Sequence, residues 1–399
     1  MSTATKAPAR AGLVLVATVA LLGGGASCRK GTASPTSSFN ALSLPLWGTH
    51  GCNGANQVFV PPQVPVEVPL ATLVLGPWSQ IAALQAGEVL YATGAGATVV
   101  VLDFTGGSPP VETELVGAGI VDALLAGLGI AGPAELAGVA IADEHTLVVA
   151  EHASNTLLLV SRDTPDTVAL LAGYPSGIPG FADGVDQQIR FSFTGPAPIV
   201  PTGDGYLLVA DPGNHAVRFL AVGTSVSSLT ICGNGAPGFA DGMPGEALLD
   251  TPAGLTAACD GRLLVVERGT EGIGGHRLRA IAIGDYTFFG LLGDVTTLAG
   301  DGTDETAQGT GGLARLAGPV SLASTSEGDV YWIDATTGIL RRHASATGET
   351  DCPMFTDCAE AVGGAALFTP GGRFSLAVTA GDVLYVVDAG AGKLLRVTP

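Results

Sequence analysis

Charge is scarce in this 399-residue chain: only 13% of its residues are Asp, Glu, Lys or Arg, against about 25% in an ordinary soluble domain. Long surface-charged helices and coiled coils are therefore excluded. Aromatic residues are also few, at 6%. Basic residues are outnumbered, 17 Lys and Arg against 36 Asp and Glu, for a net charge of −19. A phosphate backbone is bound by neutralising it with Lys and Arg, so nucleic acid is excluded as a partner. An anionic lipid surface is repelled for the same reason. Past the N-terminal region no apolar run reaches the roughly 20 residues of a membrane-spanning helix. Val116 to Ala131 comes nearest, but Asp122 and four Gly interrupt it, and it reads as buried or loop structure. No CxxC pair is matched by a second CxxC or an HxxxH, which argues against structural zinc. A G-x-S-x-G elbow and a phosphate-binding Gly loop in its proper context are also missing.

Apolar residues (47%), Gly (59) and Pro (25) are abundant instead. That much apolar material contradicts wholesale disorder, and the glycines and prolines call for short elements joined by tight turns. A β-rich run ending in an acid recurs along the chain. It reads LVVAE at Leu147 to Glu151, LLVAD at Leu207 to Asp211, LLVVE at Leu263 to Glu267, VYWID at Val330 to Asp334 and LYVVD at Leu384 to Asp388. A weaker copy is VLYAT, Val89 to Thr93. The last positions are 58, 60, 56, 67 and 54 residues apart, a period that signals a repeat architecture. Each unit parses into four strands, with an apolar run and a hairpin turn before the acidic run, then a third run, then a T-x-L-A-G-like segment. Four short antiparallel strands repeated six times predict an all-β, six-bladed β-propeller over residues 63–399. The last repeat stops after its third strand, and Leu70 to Gly76 matches the fourth-strand segment at Thr296 to Gly300. An N-terminal strand is thus expected to complete the last blade and close the ring, which removes the exposed sheet edges.

Residues 1–27 carry Lys6 and Arg10, an apolar stretch from Ala11 to Leu22, then small residues before Cys28, the three-part layout of an export signal. The ending resembles the bacterial lipobox, with Gly25 where an aliphatic residue is usual, and this implies acylation of Cys28. Residues 28–62, rich in Ser, Thr, Pro, Gly and Asn, read as a flexible tether. An exported chain can use disulfides. Cys352 and Cys358 bracket a short segment and are placed to pair, whereas the pairing of Cys52, Cys232 and Cys259 stays open.

The repeats resemble the NHL-repeat family of six-bladed propellers, especially its exported bacterial members. Gly180-Phe181-Ala182-Asp183-Gly184 and Gly238-Phe239-Ala240-Asp241-Gly242 are two copies of one motif, and Val209-Ala210-Asp211-Pro212-Gly213-Asn214-His215-Ala216-Val217-Arg218 matches the family's strand and turn. Read from the residues, Glu151, Asp211, Glu267, Asp334 and Asp388 are structural turn residues, each a carboxylate accepting N–H bonds where a strand enters a turn. Phe181 and Phe239 are expected to wedge between blades. His152, His215 and His276 would suit a zinc ion by residue type, but their turns lie outside the central axis and splay apart, so they read as turn packing. Asp301, Asp304 and Glu305 could hold Ca²⁺, and read as an exposed acidic loop.

The function expected is that of an exported, lipid-anchored, monomeric binding or scaffold module of the bacterial envelope. It is expected to take a protein, peptide or glycan without catalytic residues or cofactor. The alternative is a metal-dependent enzyme of the lactonase or peptidyl-amidoglycolate lyase type, with Zn²⁺ or Ca²⁺ in the channel. Secretion without lipid is the alternative location.

Overall fold

A computed structural model of the chain describes residues 65–84, 88–174, 177–202, 205–269, 273, 275–283, 294–355, 358, 367–379 and 381–397. The expected signal (1–27), Cys28, the tether (28–62), His50 and Cys52 lie outside the described residues.

The strands form six antiparallel sheets, arranged as a six-bladed β-propeller. From the axis outward, blade one holds Ile81–Leu84, Val89–Thr93, Val99–Asp103 and Val111–Val116. Blade two holds Leu136–Ile141, Thr146–Glu151, Thr156–Ser161 and Val168–Ala172. Blade three holds Ile199–Pro201, Tyr206–Asp211, Ala216–Val222 and Val226–Cys232, and blade four Pro252–Ala257, Leu263–Glu267, Arg277–Ile281 and Val295–Ala299. Blade five holds Pro319–Ser324, Val330–Asp334, Ile339–His343 and Glu349–Asp351, with a fifth strand, Gly309–Thr310, on its outer edge. Blade six holds Phe374–Val378, Leu384–Asp388 and Lys393–Val397, completed by Val66–Val68. The ring is therefore closed by an N-terminal strand as expected, but a few residues earlier than the Leu70 to Gly76 match. Val68 is the buried member of the closing strand. Leu70 to Gly76 instead runs past the outer strand of blade one, where Glu112 accepts the backbone N–H groups of Ala71, Thr72 and Leu73.

Second strands are buried almost throughout, because each is flanked by strands on both edges and by neighbouring blades on both faces. Near the axis the small residues allow the inner strands to approach closely. A methyl group on Gly138 would stand 2.2 Å from the Ala197 carbonyl oxygen, and one on Gly254 would stand 2.7 Å from the Ser321 carbonyl carbon. Ser375 Oγ accepts the Ile81 N–H (3.0 Å) and Ser321 Oγ accepts the Leu376 N–H (2.8 Å), tying inner strands of adjacent blades.

The connectors between blades have two tasks. Each of the three starting at Gly173, Gly233 and Gly300 first runs over the outer edge of the next blade. There Val185 pairs with Ser227, Gly242 with Val295, and Gly309–Thr310 with the strand Glu349–Asp351. The bare ladder of an edge strand is thereby occupied. Each then returns between two blades and fills the gap with apolar side chains: Phe191 and Phe193, Ala247 and Leu249, Ala314 and Leu316. The edge of blade two is covered by a helix, Ile120–Gly127, which buries Val121 and Leu125. The stretch Val116 to Ala131 thus contains a helix, beginning after Gly119 at φ 83°. No helix among the described residues is long and apolar enough to cross a membrane.

The ring has two faces. The upper carries the turns between second and third strands and the connectors, and the lower carries the turns between first and second and between third and outer strands.

Candidate functional site

All five acids at the second-strand ends are buried. Glu151 accepts from the Glu135 N–H (2.8 Å) and the Ala153 N–H (3.1 Å), and from the N–H and hydroxyl of Ser154. Asp211 accepts from the Ser192 N–H and Asn214 Nδ2, both at 2.8 Å. Glu267 takes the Asp250 N–H (2.8 Å). Asp334 takes the Trp332 indole N–H (2.9 Å) and the Thr306 hydroxyl (3.0 Å). Asp388 takes the N–H groups of Thr369 (2.8 Å) and Ala391 (3.0 Å). Three of the carboxylates hold their own turn and four hold a backbone N–H of the incoming connector. The acid is a junction between turn and connector.

In blades three, four and five the junction contains a buried arginine from the third strand. Arg218 donates to Asp211 (2.9 Å), to Asp183 (2.7 Å) and to the carbonyls of Ala182 and Arg190. Arg279 repeats the pattern with Glu267 (3.0 Å), Asp241 (2.7 Å) and the carbonyls of Ala240 and Leu248. Arg341 holds Asp334 (2.5 Å) and the carbonyls of Ala307 and Arg315. The signal was present in the sequence, since Arg218 and Arg341 each follow their acid by seven positions. At the same offset blades two and six have Leu158 and Leu395, and there backbone N–H groups suffice. Burial pushes the Asp211 carboxyl up, against the pull of Asn214 and Arg218, and pushes that of Glu267 up to about 7. Burial also raises Asp183, but Arg218, the Thr230 N–H and Ser228 outweigh it and hold that carboxyl below its ordinary value.

These guanidinium groups support an aromatic surface. Phe181 lies over Arg218 (5.4 Å to the ring centroid), and Phe239 lies over Arg277 (3.7 Å) and Arg279 (5.0 Å). The two rings are 42% and 46% exposed, so they do not wedge between blades. Phe191 and Phe193 fill that role in their connector, because the strap must turn outward at Phe181 before it can return at Phe191. On the same straps Tyr174, Ile178 and Met243 are exposed, with Arg190 over the Tyr174 ring at 4.4 Å.

The three turn histidines are each engaged locally. His152 stacks on Trp78 (4.4 Å between centroids), with Glu135 3.7 Å from its Nδ1. His215 Nδ1 accepts the Thr251 N–H (3.1 Å) and His276 Nδ1 accepts the Gly318 N–H (3.1 Å). Of the acidic trio, Asp301 and Glu305 clamp Arg315 (3.0 and 2.5 Å), while Asp304 accepts from Thr336 (3.2 Å). Among the described residues no three His, Cys, Asp or Glu side chains are grouped to hold a metal ion.

His276 has a consequence for pH dependence. Burial, with Arg277, lowers its pKa below 6.5 against the pull of Asp304, Asp250 and Asp334. The unfolded chain therefore takes up this proton first, and the contribution of His276 is present above about pH 6.5 and lost as pH falls. Replacing His276 by Gln is expected to flatten the fall in melting temperature between pH 7.5 and pH 5, read by circular dichroism; an unchanged slope would remove His276 from the account.

Cys352 and Cys358 are disulfide-bonded (S–S 2.09 Å). Cys232 is a free, buried thiol that burial pushes up to about 12, which makes it unreactive. Cys259 is disulfide-bonded.

No protein-family model matches the chain, and no curated protein matches it in sequence. Among solved structures it is similar to a gluconolactonase from Xanthomonas campestris, at 16% identity over 85% of this chain and 95% of that one, with a TM-score of 0.50. It is similar to virginiamycin B lyase from Staphylococcus aureus at 13% identity, over 84% of this chain and 99% of the lyase, with a TM-score of 0.49. A protein of unknown function from Bacteroides thetaiotaomicron is 19% identical over 63% of this chain, with a TM-score of 0.47, and the matched region spans 55% of that protein's length. At 16% identity the likeness to the gluconolactonase carries the propeller fold and nothing finer.

Proposed function

We propose that the chain is an exported, lipid-anchored, monomeric propeller of NHL type. In this reading its upper face binds a protein or peptide without catalysis, metal or cofactor. The observation that carries the reading is the pair Phe181 and Phe239. They occupy the same place in consecutive connectors, half-exposed, each backed by a guanidinium that a buried carboxylate holds in position. Large rings with little freedom left to lose are the usual anchors of an interface, and here the same half-exposed ring recurs at the same place in two consecutive connectors. The inner strands support the non-catalytic part. Their described residues offer Ser321, Ser375, Thr256 and Ser324 to the channel region, and no carboxylate or imidazole. The GFADG and VADPGNHAVR segments support NHL membership, and the first 28 residues support export and lipid attachment.

The test is a peptide selection by phage display against the purified chain. Replacement of Phe239 by Ser is expected to weaken selected peptides at least about tenfold, the loss of one interface anchor, and replacement of both rings to abolish binding. Ala346→Arg, on the lower face, should leave affinity unchanged. Peptides indifferent to both Phe substitutions, or turnover of lactone substrates, would sink the reading.

A further inference from the structure

Arg373, Trp78 and His152 form a stack on the upper face that joins blades six, one and two. The Arg373 guanidinium carbon stands 3.9 Å from the centroid of the Trp78 ring. The His152 imidazole is stacked on the same indole, 4.4 Å away and inclined by 25°. Trp78 sits at the tip of a closed turn, in which the Ser79 N–H donates to the Gly76 carbonyl (3.1 Å) and the Gly76 N–H to Ser79 Oγ (2.8 Å). Pro77 fixes its own φ within that turn. Arg373 is tied to blade six through its carbonyl, which accepts the Ala389 N–H (3.0 Å). Its side chain is exposed.

An arginine carries five N–H donors in one plane. Arg373 spends Nη1 on a long contact to the Pro77 carbonyl (3.5 Å). Among the described residues it has no acidic partner, and its Nε and Nη2 carry no hydrogen bond. Those two atoms form the edge of the guanidinium that matches the two oxygens of a carboxylate. We propose that this edge is a carboxylate-binding site, in which Arg373 donates two parallel N–H bonds and Trp78, braced by His152, fixes the plane of the guanidinium. A group held in its bound orientation beforehand loses less freedom on binding. One cation suits one negative charge, whereas a phosphate dianion asks for more. The next group in the stack, Glu135, 3.7 Å from His152 Nδ1, is an acid, and the net charge of −19 also opposes a polyanion. Two sources carry a carboxylate of this kind, the C-terminus of a peptide and a free small acid.

Trp78 is itself the probe. Of the other two tryptophans, Trp332 is fully buried and Trp47 lies outside the described residues. Tryptophan emission of the full chain is titrated, at constant ionic strength, with acetyl-trialanine bearing a free C-terminus, with the C-terminal amide of the same peptide, and with succinate. A saturable change with the free-acid peptide and none with the amide is the expected result; a change with succinate alone keeps the site and assigns it to small acids. The Trp78→Phe chain should lose the change. Arg373→Lys keeps the charge without the fork, so affinity should fall at least about tenfold while the melting temperature stays that of the parent. No saturable change with either acid, an equal response to the amide, a change that persists without Trp78, or undiminished affinity in Arg373→Lys would overturn the proposal. No selected peptide enters the titration, so its outcome is independent of the reading built on Phe181 and Phe239.

Discussion

A chain that begins at residue 71 is expected to unfold at a temperature well below that of one beginning at residue 65, and to lose its single cooperative transition. The difference is the strand Val66–Val68. Its removal exposes one edge of Lys393–Val397 along the whole ladder, uncovers the buried Val68 contact in the core shared by blades six and one, and deletes the Glu67–Lys393 ion pair (2.6 Å). Burial of one valine contributes about 1.5–3 kcal/mol, and each ladder bond about 1 kcal/mol net. Ordering a three-residue segment opposes these gains, and the exposed ion pair adds little. A net loss of about 3 kcal/mol follows, which at 2–4 °C per kcal/mol is roughly 10 °C. Because the ring is held at one seam, its opening also frees blades six and one from each other. Calorimetry would show a broadened or split transition, and gel filtration would show self-association through the exposed edge. Superimposable melts for the two chains would mean that three-stranded closure is sufficient.

The second large effect is expected at Arg218. Replacement by Met leaves Asp211, which is fully buried, without its cation and removes the guanidinium donor from the carbonyls of Arg190 and Ala182, the second of which keeps the Arg190 N–H. Breaking a buried pair from one side costs about 3–5 kcal/mol, because the remaining charge has no solvent. The melting temperature should fall by about 10 °C or more. Arg190→Met, which removes only a rim stacking contact with Tyr174, should cost less than about 1 kcal/mol. Combining Arg218→Met with Asp211→Asn should lose less than the two single changes added together, since both act on one network. A melt for Arg218→Met within 2 °C of the parent would show that the connector, not the ion pair, holds this junction.

The second strands of blades two to six could be read from the sequence because each ends in an acid followed by a turn, and blade one, which ends in Thr93, was legible only as a weaker copy at the same spacing. The residues that complete each junction were less legible. Ser192, Asp250 and Thr369 donate through backbone N–H groups, which leave no mark on residue identity, and Asp183 reaches Arg218 across 35 positions of chain. The exposure of Phe181 departs from the pattern for a related reason. A large apolar residue in a connector suggests burial, but this strap doubles back, so position along it, not hydrophobicity, decides which ring is covered. LATLVLG matches the repeat better than VEV does, yet it is VEV that closes the ring. What selects VEV is pairing with Leu394 to Arg396, a partner that no local pattern announces.

That pairing joins residues 66 and 396, 330 positions apart. Blades one to five are assembled mainly from hairpins between neighbours in sequence and can form in the order of synthesis. The sixth cannot, because its closing strand must wait for a partner more than 300 positions further along the chain. Completion depends on the strand pairing of greatest sequence separation among the described residues, which is the slowest kind to form. Pairing of Val66–Val68 with Leu394 to Arg396, and not the folding of any single blade, is therefore the step that closes the ring.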